Sequence, residues 1–173
     1  RLQTRELVYA GVRRTPVCAI WSDGTCAELF ATTEDVYTLL GLLPEAPDDR
    51  GTADGRPQTT EYAFARLARM LGGDREQLSD DHIIHFATRV HSELRRRLVE
   101  SCRAAYYARQ GAPELRTVIV SGAGEFLARQ VASDAFPFVS PERVVSVNTE
   151  LGPAVSACAP AHAVAVLAAE QRT

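Results

Sequence analysis

The segment TVIVSGAGEFLARQV, residues 117–131, constrains the fold of this chain more than any other. The β-branched run 115–120 predicts a buried strand, and SGAG follows it directly before a helical pattern. A second strand is predicted at 144–147, and Pro153 is a suitable first residue for an alanine-rich helix that ends near Glu170. Strands joined by a helix in this way lie parallel, so residues 116–173 are predicted to form a β-α-β-α segment of an α/β fold.

The first 43 residues are predicted to hold a hairpin and a short helix. The sequence pattern of residues 7–30 predicts extended structure. The turn residues 22–25 predict a β-hairpin that occupies the region 1–30. Thr32 with Asp35 three positions later is typical of a capping box. Apolar residues at helical spacing follow until Pro44, which predicts an amphipathic helix.

The middle of the chain, 31–115, is predicted to combine a long loop with helices. Residues 44–58 are rich in Pro, Gly and Asp and have no periodic apolar face, so they read as a loop. Thr60 and Ser79 are each expected to cap a helix, and the second of these helices is long. Near the end of the chain, Pro160 is expected to kink the last helix.

Composition excludes several functional classes. The chain has 46% hydrophobic and 24% charged residues, and no apolar run approaches the roughly 20 residues of a membrane span. Nineteen basic and 22 acidic residues show no basic stripe, so neither nucleic acid nor a membrane is an expected partner. Four cysteines without a C-x-x-C pair fit free thiols, and the protein is expected to be cytoplasmic.

The glycine turn is the first candidate for chemistry. Gly122 and Gly124 lack Cβ atoms, so backbone N–H groups at the start of the following helix are able to approach a nucleotide or phosphate. The alternative is a turn that only joins a strand to a helix. Glu125 has two equal interpretations, a ligand for a ribose hydroxyl or a partner of the helix dipole.

Two arginine-containing segments are the other candidates. Arg13 and Arg14 either grip a carboxylate or diphosphate or form a solvated pair at the start of a strand. Asp54 could take a magnesium-bound water and Arg56 a phosphate, but Asp-Gly also makes plain turns. His82 and His85 share a helix face without a third ligand nearby, so no protein-bound metal is predicted there.

Six segments together resemble the hydantoinase/oxoprolinase-related proteins of the tetrahydromethanopterin-linked one-carbon pathway. Archaeal members of that family act as a synthase in methanofuran biosynthesis. The resemblance covers nearly the whole chain, and RRTP and TADGRP are its most distinctive parts. The segments are GVRRTPVCA (11–19), AELFATTEDVY (27–37), DDRGTADGRP (48–57), ARLARML (65–71), VSGAGEFLA (120–128) and ELGPAVS (150–156).

The resemblance implies an actin-like ATPase fold of the sugar-kinase and Hsp70 type, in which this chain supplies a ribonuclease-H-like lobe with a helical insertion. The family reaction joins an aminomethylfuran diphosphate to the phenol of γ-glutamyltyramine, forming an ether and releasing diphosphate. Mg²⁺ is implied, with ATP or diphosphate as the bound phosphate compound. The implied nucleotide-side residues are Ser121, Gly122, Ala123, Gly124 and Glu125, and the implied substrate-binding residues are Arg13, Arg14, Thr15, Asp54 and Arg56.

The chain departs from that family in lacking its Asp-x-Gly-Gly and Asp-x-Gly-Ser-Thr-Thr phosphate loops. With Met70 as its only methionine, it is expected to be the C-terminal part of a longer protein. Its expected partner is then an N-terminal lobe that carries the catalytic residues, with a homo-oligomer possible, and this part alone is expected to be inactive. The alternatives are an ATP-dependent kinase or hydrolase of the same fold and a non-catalytic nucleotide-binding module. A methyltransferase-like sheet is disfavoured, because Asn148 stands where that class needs an acidic residue.

Overall fold

The computed structural model describes residues 2–108 and 114–171, and the chain divides into two compact units. One unit holds Tyr9–Arg97, and the other holds the described residues on either side of it. The predicted regions 1–30, 31–115 and 116–173 stay a prediction. Within the first unit, Arg97 donates hydrogen bonds to the carbonyls of Ala19 (3.0 Å) and Ile20 (2.5 Å), which joins the first segment to the helices.

The Tyr9–Arg97 unit is helical, and it contains the larger part of the longest helix of the chain. The helices in chain order are α1 (Val17–Ile20), α2 (Thr33–Leu39), α3 (Thr60–Met70) and α4 (Asp80–Tyr107). Helix α4 continues past Arg97, so it contributes residues to both units.

The predicted β-hairpin at the start of the chain is wrong. Residues 17–20 form the single helical turn α1, and no strand precedes residue 118 within the described ranges. Val17 and Ile20 are 0% and 2% exposed. Residues three positions apart point to opposite faces of a strand but to one side of a helix, so burying both on one side requires a helical turn. Pro16 and Thr32 form only an isolated antiparallel bridge.

The predicted helix starts in this unit are largely confirmed. The Asp35 carboxylate accepts from the backbone N–H of Thr32 at 2.8 Å, as a capping box requires. The Ser79 hydroxyl accepts from the backbone N–H of His82 at 3.3 Å at the start of α4. The N-cap position of α3 is Thr59, one residue earlier than predicted, and its side chain makes no capping hydrogen bond. The loop 44–58 is present and is closed by an isolated bridge between Ala46 and Gln58.

The core of the Tyr9–Arg97 unit is built mainly from apolar faces of its helices. Leu67 and Ala68 of α3 are buried as predicted, whereas Phe64 and Leu71 are only half-buried. The remaining buried apolar residues of the helices are Val17, Ile20, Val36, Tyr37, Ala63, Met70, Ile83, Phe86, Ala87, Val90 and Leu94.

The second unit contains the predicted β-α-β-α segment. Strand β1 (Val118–Val120) leads into α5 (Glu125–Ala135), and β2 (Val144–Ser146) pairs with β1 in parallel register. Helices α6 (Val147–Leu151), α7 (Pro153–Ala157) and α8 (Ala159–Glu170) follow. This unit thus combines helices with a small parallel sheet, and the assignment to a ribonuclease-H-like lobe stays a prediction.

The predicted alanine-rich helix is divided into two helices rather than kinked. Cys158 separates α7 from α8, and Pro160 lies in the first turn of α8, where its missing N–H removes no helical hydrogen bond. Helix α8 is apolar but exposed, with Val164 at 66% and Leu167 at 58%. None of the helices in the described part of the chain is both long and apolar enough to cross a bilayer.

Candidate functional site

A cavity of about 370 Å³ lies beside the turn between β1 and α5. Gly122 adopts a backbone φ of +89°, which residues with a side chain rarely adopt. Gly124 is the N-cap residue of α5. The turn follows β1, at the carboxyl end of the two-stranded parallel sheet, where α/β folds commonly bind ligands. The cavity is lined by Gly122, Ala123, Glu125, Phe126, Asn148, Pro153, Ser156 and Ala157.

The carboxylate of Glu125 is the charged group of this cavity, and three hydrogen bonds hold it. Its Oε2 accepts from the hydroxyl of Ser146 at 2.6 Å. Its Oε1 accepts from the hydroxyl of Ser156 at 2.7 Å and from the backbone N–H of Asn148 at 3.0 Å. Ser146 and Ser156 are only 4% and 3% exposed. Glu125 thus connects the start of α5 to the end of β2, to α6 and to α7.

The hydrogen bonds keep Glu125 ionised. Burial raises the pKa of Glu125, but the hydrogen bonds from Ser146, Ser156 and Asn148 outweigh it, so the pKa lies below its ordinary value. All three donors are neutral. The guanidinium of Arg129 lowers the pKa further but forms no ion pair with Glu125. The cavity therefore carries a full negative charge at neutral pH.

This charge changes the interpretation of the glycine turn. The backbone N–H of Gly122 donates to the Ser156 hydroxyl at 2.8 Å, so it is used within the protein. Of the five predicted residues, Gly122, Ala123 and Glu125 line the cavity, whereas Ser121 and Gly124 do not. A phosphate placed here would meet a carboxylate, so the local charge favours a cation or a hydrogen-bond donor.

The RRTP segment lies in the other unit. Arg13 forms an ion pair with Glu34 of α2 at 3.2 Å, and its side chain is half-exposed. Burial raises the pKa of Glu34, and Arg13 offsets part of that rise. Arg14 is exposed, while the Thr15 hydroxyl accepts from the backbone N–H of Gly11 at 2.9 Å. Thr15 therefore stabilises the turn of this segment, and the guanidiniums of Arg13 and Arg14 are accessible to a ligand.

A buried arginine that sequence reasoning missed organises the TADGRP loop. Arg66 of α3 is 0% exposed and donates through Nε to Asp35 Oδ1 at 2.7 Å. Its Nη1 donates to Asp54 Oδ1 at 3.0 Å and its Nη2 to Gln58 Oε1 at 2.9 Å. The signal in the sequence was an arginine on the apolar stripe of α3, between Ala63 and Met70.

The Asp-Gly turn of this loop presents Arg56 to solvent. Asp54 accepts from the backbone N–H of Arg56 at 3.1 Å, and the Thr52 hydroxyl donates to the carbonyl of Arg56 at 2.6 Å. Burial raises the pKa of Asp54, but hydrogen bonds from Arg56 and Arg66 lower it below its ordinary value. The Arg56 guanidinium lies 5.6 Å from the ring centroid of Tyr62. Asp54 thus holds the loop, and Arg56 is its accessible cation.

The Mg²⁺ implied by the resemblance stays a prediction. No group of three or more His, Cys, Asp or Glu side chains is arranged to hold a metal ion in residues 2–108 and 114–171. Asp54, the predicted partner of a magnesium-bound water, is bonded to Arg66 instead. No step is derived through Mg²⁺. His82 and His85 are exposed on α4.

Two curated relatives resemble this chain over almost its whole length. The first, from Methanocaldococcus jannaschii, is named (4-{4-[2-(gamma-L-glutamylamino)ethyl]phenoxymethyl}furan-2-yl)methanamine synthase, and is 30% identical over 182 aligned residues, covering 99% of this chain and 51% of the relative. The second, from Methanococcus vannielii, has the same name and is 25% identical, covering 96% of this chain and 77% of the relative. The chain spans about half the length of the first relative. No family model matches the chain.

Proposed function

We propose that this chain is part of a synthase that forms the phenoxymethylfuran ether of a methanofuran-like cofactor. The observation that carries the proposal is the 30% identity to the Methanocaldococcus jannaschii synthase, which extends over 99% of this chain. The name of that relative describes a product in which an oxygen joins an aromatic ring to the methylene carbon of a furan. The proposed activity is therefore a transferase activity of the intact protein.

The proposed reaction is a substitution at the furan methylene carbon. The phenol oxygen of the tyramine-derived substrate forms a bond to that carbon, while the bond from carbon to the diphosphate oxygen breaks. The electron pair of the broken bond leaves with diphosphate, and the phenol loses its proton to a base. Stabilising the charge that develops on the leaving group lowers the barrier of such a step.

Three of the accessible guanidiniums of the Tyr9–Arg97 unit are the proposed partners of diphosphate. Arg13, Arg14 and Arg56 are all at the surface, and Arg66 fixes the loop that carries Arg56. Guanidiniums suit this role because their planar donors match phosphate oxygens. Glu34 beside Arg13 is an acceptor that an incoming diphosphate would replace as the partner of Arg13.

We further propose that an N-terminal lobe of the intact protein completes the molecule, in an actin-like arrangement. The second unit supports this with a parallel sheet of only two strands, in which Ile119 is 69% exposed. Parallel sheets are usually covered on both faces, so strands β1 and β2 are typical of a fragment of a larger sheet. The unmatched half of the first relative is long enough to supply such a lobe.

The test is an assay of the intact protein, expressed with the whole of its coding sequence. Aminomethylfuran diphosphate and γ-glutamyltyramine are incubated with the protein, and mass spectrometry follows the ether while a coupled assay follows diphosphate. We expect one ether per diphosphate released. Hydrolysis of ATP without ether formation would replace this proposal with an ATP-dependent enzyme.

Replacing an arginine tests the proposed diphosphate contact. The substitution Arg13→Ala is expected to lower kcat/KM by about tenfold or more, because it removes a charge-assisted hydrogen bond to the leaving group. Arg69→Ala, at an exposed arginine on α3 outside the proposed set, is the control and should leave kcat/KM near the wild-type value. Equal kinetics for Arg13→Ala and the wild-type protein would remove Arg13 from the mechanism.

A further inference from the structure

We propose that the cavity beside the β1–α5 turn binds the primary ammonium group of the aminomethylfuran substrate, with Glu125 as its ion-pair partner. This inference rests on the proposed function for the identity of the substrate. It also assigns the glycine turn a ligand of opposite charge to the phosphate predicted from sequence. The ammonium is present because the product of both relatives is named as a furan methanamine.

The hydrogen bonds of Glu125 leave room for one more donor. Each carboxylate oxygen accepts about two hydrogen bonds. Oε1 already accepts two, from Ser156 and Asn148, whereas Oε2 accepts one, from Ser146. An ammonium has three donors and no acceptor, so it complements the remaining lone pair on Oε2. The same three bonds hold the carboxylate in place before the ligand arrives.

The hydrogen-bond donors to Glu125 are all neutral, and Arg129 acts on its charge only from beyond hydrogen-bond distance. Its hydrogen-bond donors are two hydroxyls and one backbone N–H, and no cation lies within ion-pair distance of it in the described part of the chain. A structural carboxylate inside a protein is commonly paired with a cation, as Asp35 is with Arg66. An ionised carboxylate without one, on the wall of a cavity, is suited to a cationic ligand.

The rest of the wall is suited to the furan ring. Phe126, Pro153, Ala123 and Ala157 add apolar surface around the polar groups. The volume of about 370 Å³ is at the lower end of the range for small-molecule sites, enough for one ring with its aminomethyl group. Apolar walls with one convergent charged group are the usual composition of such sites.

The same charge excludes the amino-acid end of the other substrate. The γ-glutamyl group carries an ammonium and a carboxylate on one carbon, and its carboxylate would be repelled by Glu125. The aminomethyl group of the furan has no carboxylate beside it, and the diphosphate of that substrate is attached through a different ring carbon. Glu125 therefore favours the furan amine over the glutamyl amine.

The first experiment measures binding with furfurylamine as the probe and furfuryl alcohol as its neutral counterpart. The intact wild-type protein, isotopically labelled, is titrated with each compound and followed by NMR. We expect furfurylamine to shift the amide signals of Gly122, Glu125 and Asn148, and furfuryl alcohol to bind at least tenfold more weakly. Equal binding of the two compounds, or shifts located elsewhere, would overturn the inference without any variant.

The second experiment uses the substitution Glu125→Gln. Glutamine keeps the shape and still forms hydrogen bonds with Ser146 and Ser156 but removes the charge. Glu61→Gln, in the first turn of α3, removes a carboxylate at a comparable helix position and is the control. We expect Glu125→Gln to abolish the preference for furfurylamine and Glu61→Gln to retain it.

Catalysis separates this inference from the proposed function. The ratio of kcat/KM for aminomethylfuran diphosphate to that for the same compound without its aminomethyl group is measured for each protein. We expect the ratio to fall at least tenfold in Glu125→Gln. An active wild-type enzyme with an unchanged ratio in the variant would overturn the role of Glu125 alone. Absence of ether formation by the wild-type protein would overturn the proposed function, and the binding experiment would then decide the site by itself.

Discussion

At the scale of single residues, the most consequential side chain is Arg66. Its guanidinium joins Asp35, near the start of α2, to Asp54 and Gln58 in the loop. Gln58 in turn donates to the Thr38 hydroxyl at 2.9 Å. Removing a buried cation with several partners destabilises the fold strongly, because the buried polar groups of those partners are left without a hydrogen-bond donor.

The substitution Arg66→Met tests this network. Breaking a buried ion pair leaves Asp35 uncompensated, so we expect the free energy of unfolding to fall by about 3–5 kcal/mol. Arg69→Met, one helical turn away on the exposed face of α3, is the matched control and should change it by less than about 0.5 kcal/mol. Urea denaturation measures both. A loss below about 1 kcal/mol for Arg66→Met would contradict the network.

Gly122 allows a second residue-scale prediction. A Cβ atom at this position would meet no heavy atom within 4 Å, so the cost of Gly122→Ala comes only from its φ of +89°. We expect a loss of about 1–2 kcal/mol in the free energy of unfolding. Gly11→Ala is the control, since Gly11 is equally unobstructed and is not among the glycines with positive φ. Thermal unfolding of the two variants should separate these positions.

At the scale of elements, α4 carries a local ion cluster that depends on pH. Glu93 forms ion pairs with Arg96 at 2.8 Å and Arg97 at 2.7 Å. The hydrogen bond from Arg96 is the largest cause that lowers the pKa of Glu93, to about 2. A carboxyl group with a lowered folded pKa stabilises the protein above its unfolded pKa, and this stabilisation is lost as the pH falls towards the folded pKa.

The substitution Glu93→Gln should remove that pH dependence. Helical ion pairs contribute about 0.3–0.5 kcal/mol each, so we expect a loss of about 1 kcal/mol at pH 7. The difference between variant and wild type should shrink from about pH 4.3 downwards and vanish below about pH 2. Denaturant unfolding at several pH values checks this. A difference that stays constant over that range would show that Glu93 contributes only packing.

At the scale of the whole chain, apolar side chains are divided unevenly between the two units. The Tyr9–Arg97 unit buries most apolar residues of its helices, whereas α8 of the other unit exposes Val164, Val166 and Leu167. An apolar helix is usually covered in a complete protein. Because Val164, Val166 and Leu167 are exposed, they contribute little to the free energy of unfolding of this chain.

A pair of leucine substitutions tests this distribution. Leu67→Ala in α3 removes a fully buried side chain and should cost about 2–5 kcal/mol. Leu167→Ala in α8 removes an exposed one and should cost less than about 0.5 kcal/mol in the 173-residue chain. Denaturation of both variants gives the comparison. A cost above about 1.5 kcal/mol for Leu167→Ala would contradict the exposure of α8.

The sequence by itself determined the features that depend on neighbouring residues. The strand, glycine turn and helix around SGAG, the parallel partner strand, the capping box at Thr32 and the long helix after Ser79 all follow from local patterns. Each of these signals lies within one element or one turn, so periodicity and capping chemistry were enough to identify it.

The tertiary structure alone decided which distant groups meet. Ser156 and Glu125 are 31 positions apart, as are Arg66 and Asp35, and no spacing rule links either pair. The hairpin prediction failed for the same reason, since burial of both Val17 and Ile20 selected a helical turn over the strand that their propensity favoured. Burial and long-range hydrogen bonds outweigh local preference because each contributes as much free energy as several residues of propensity.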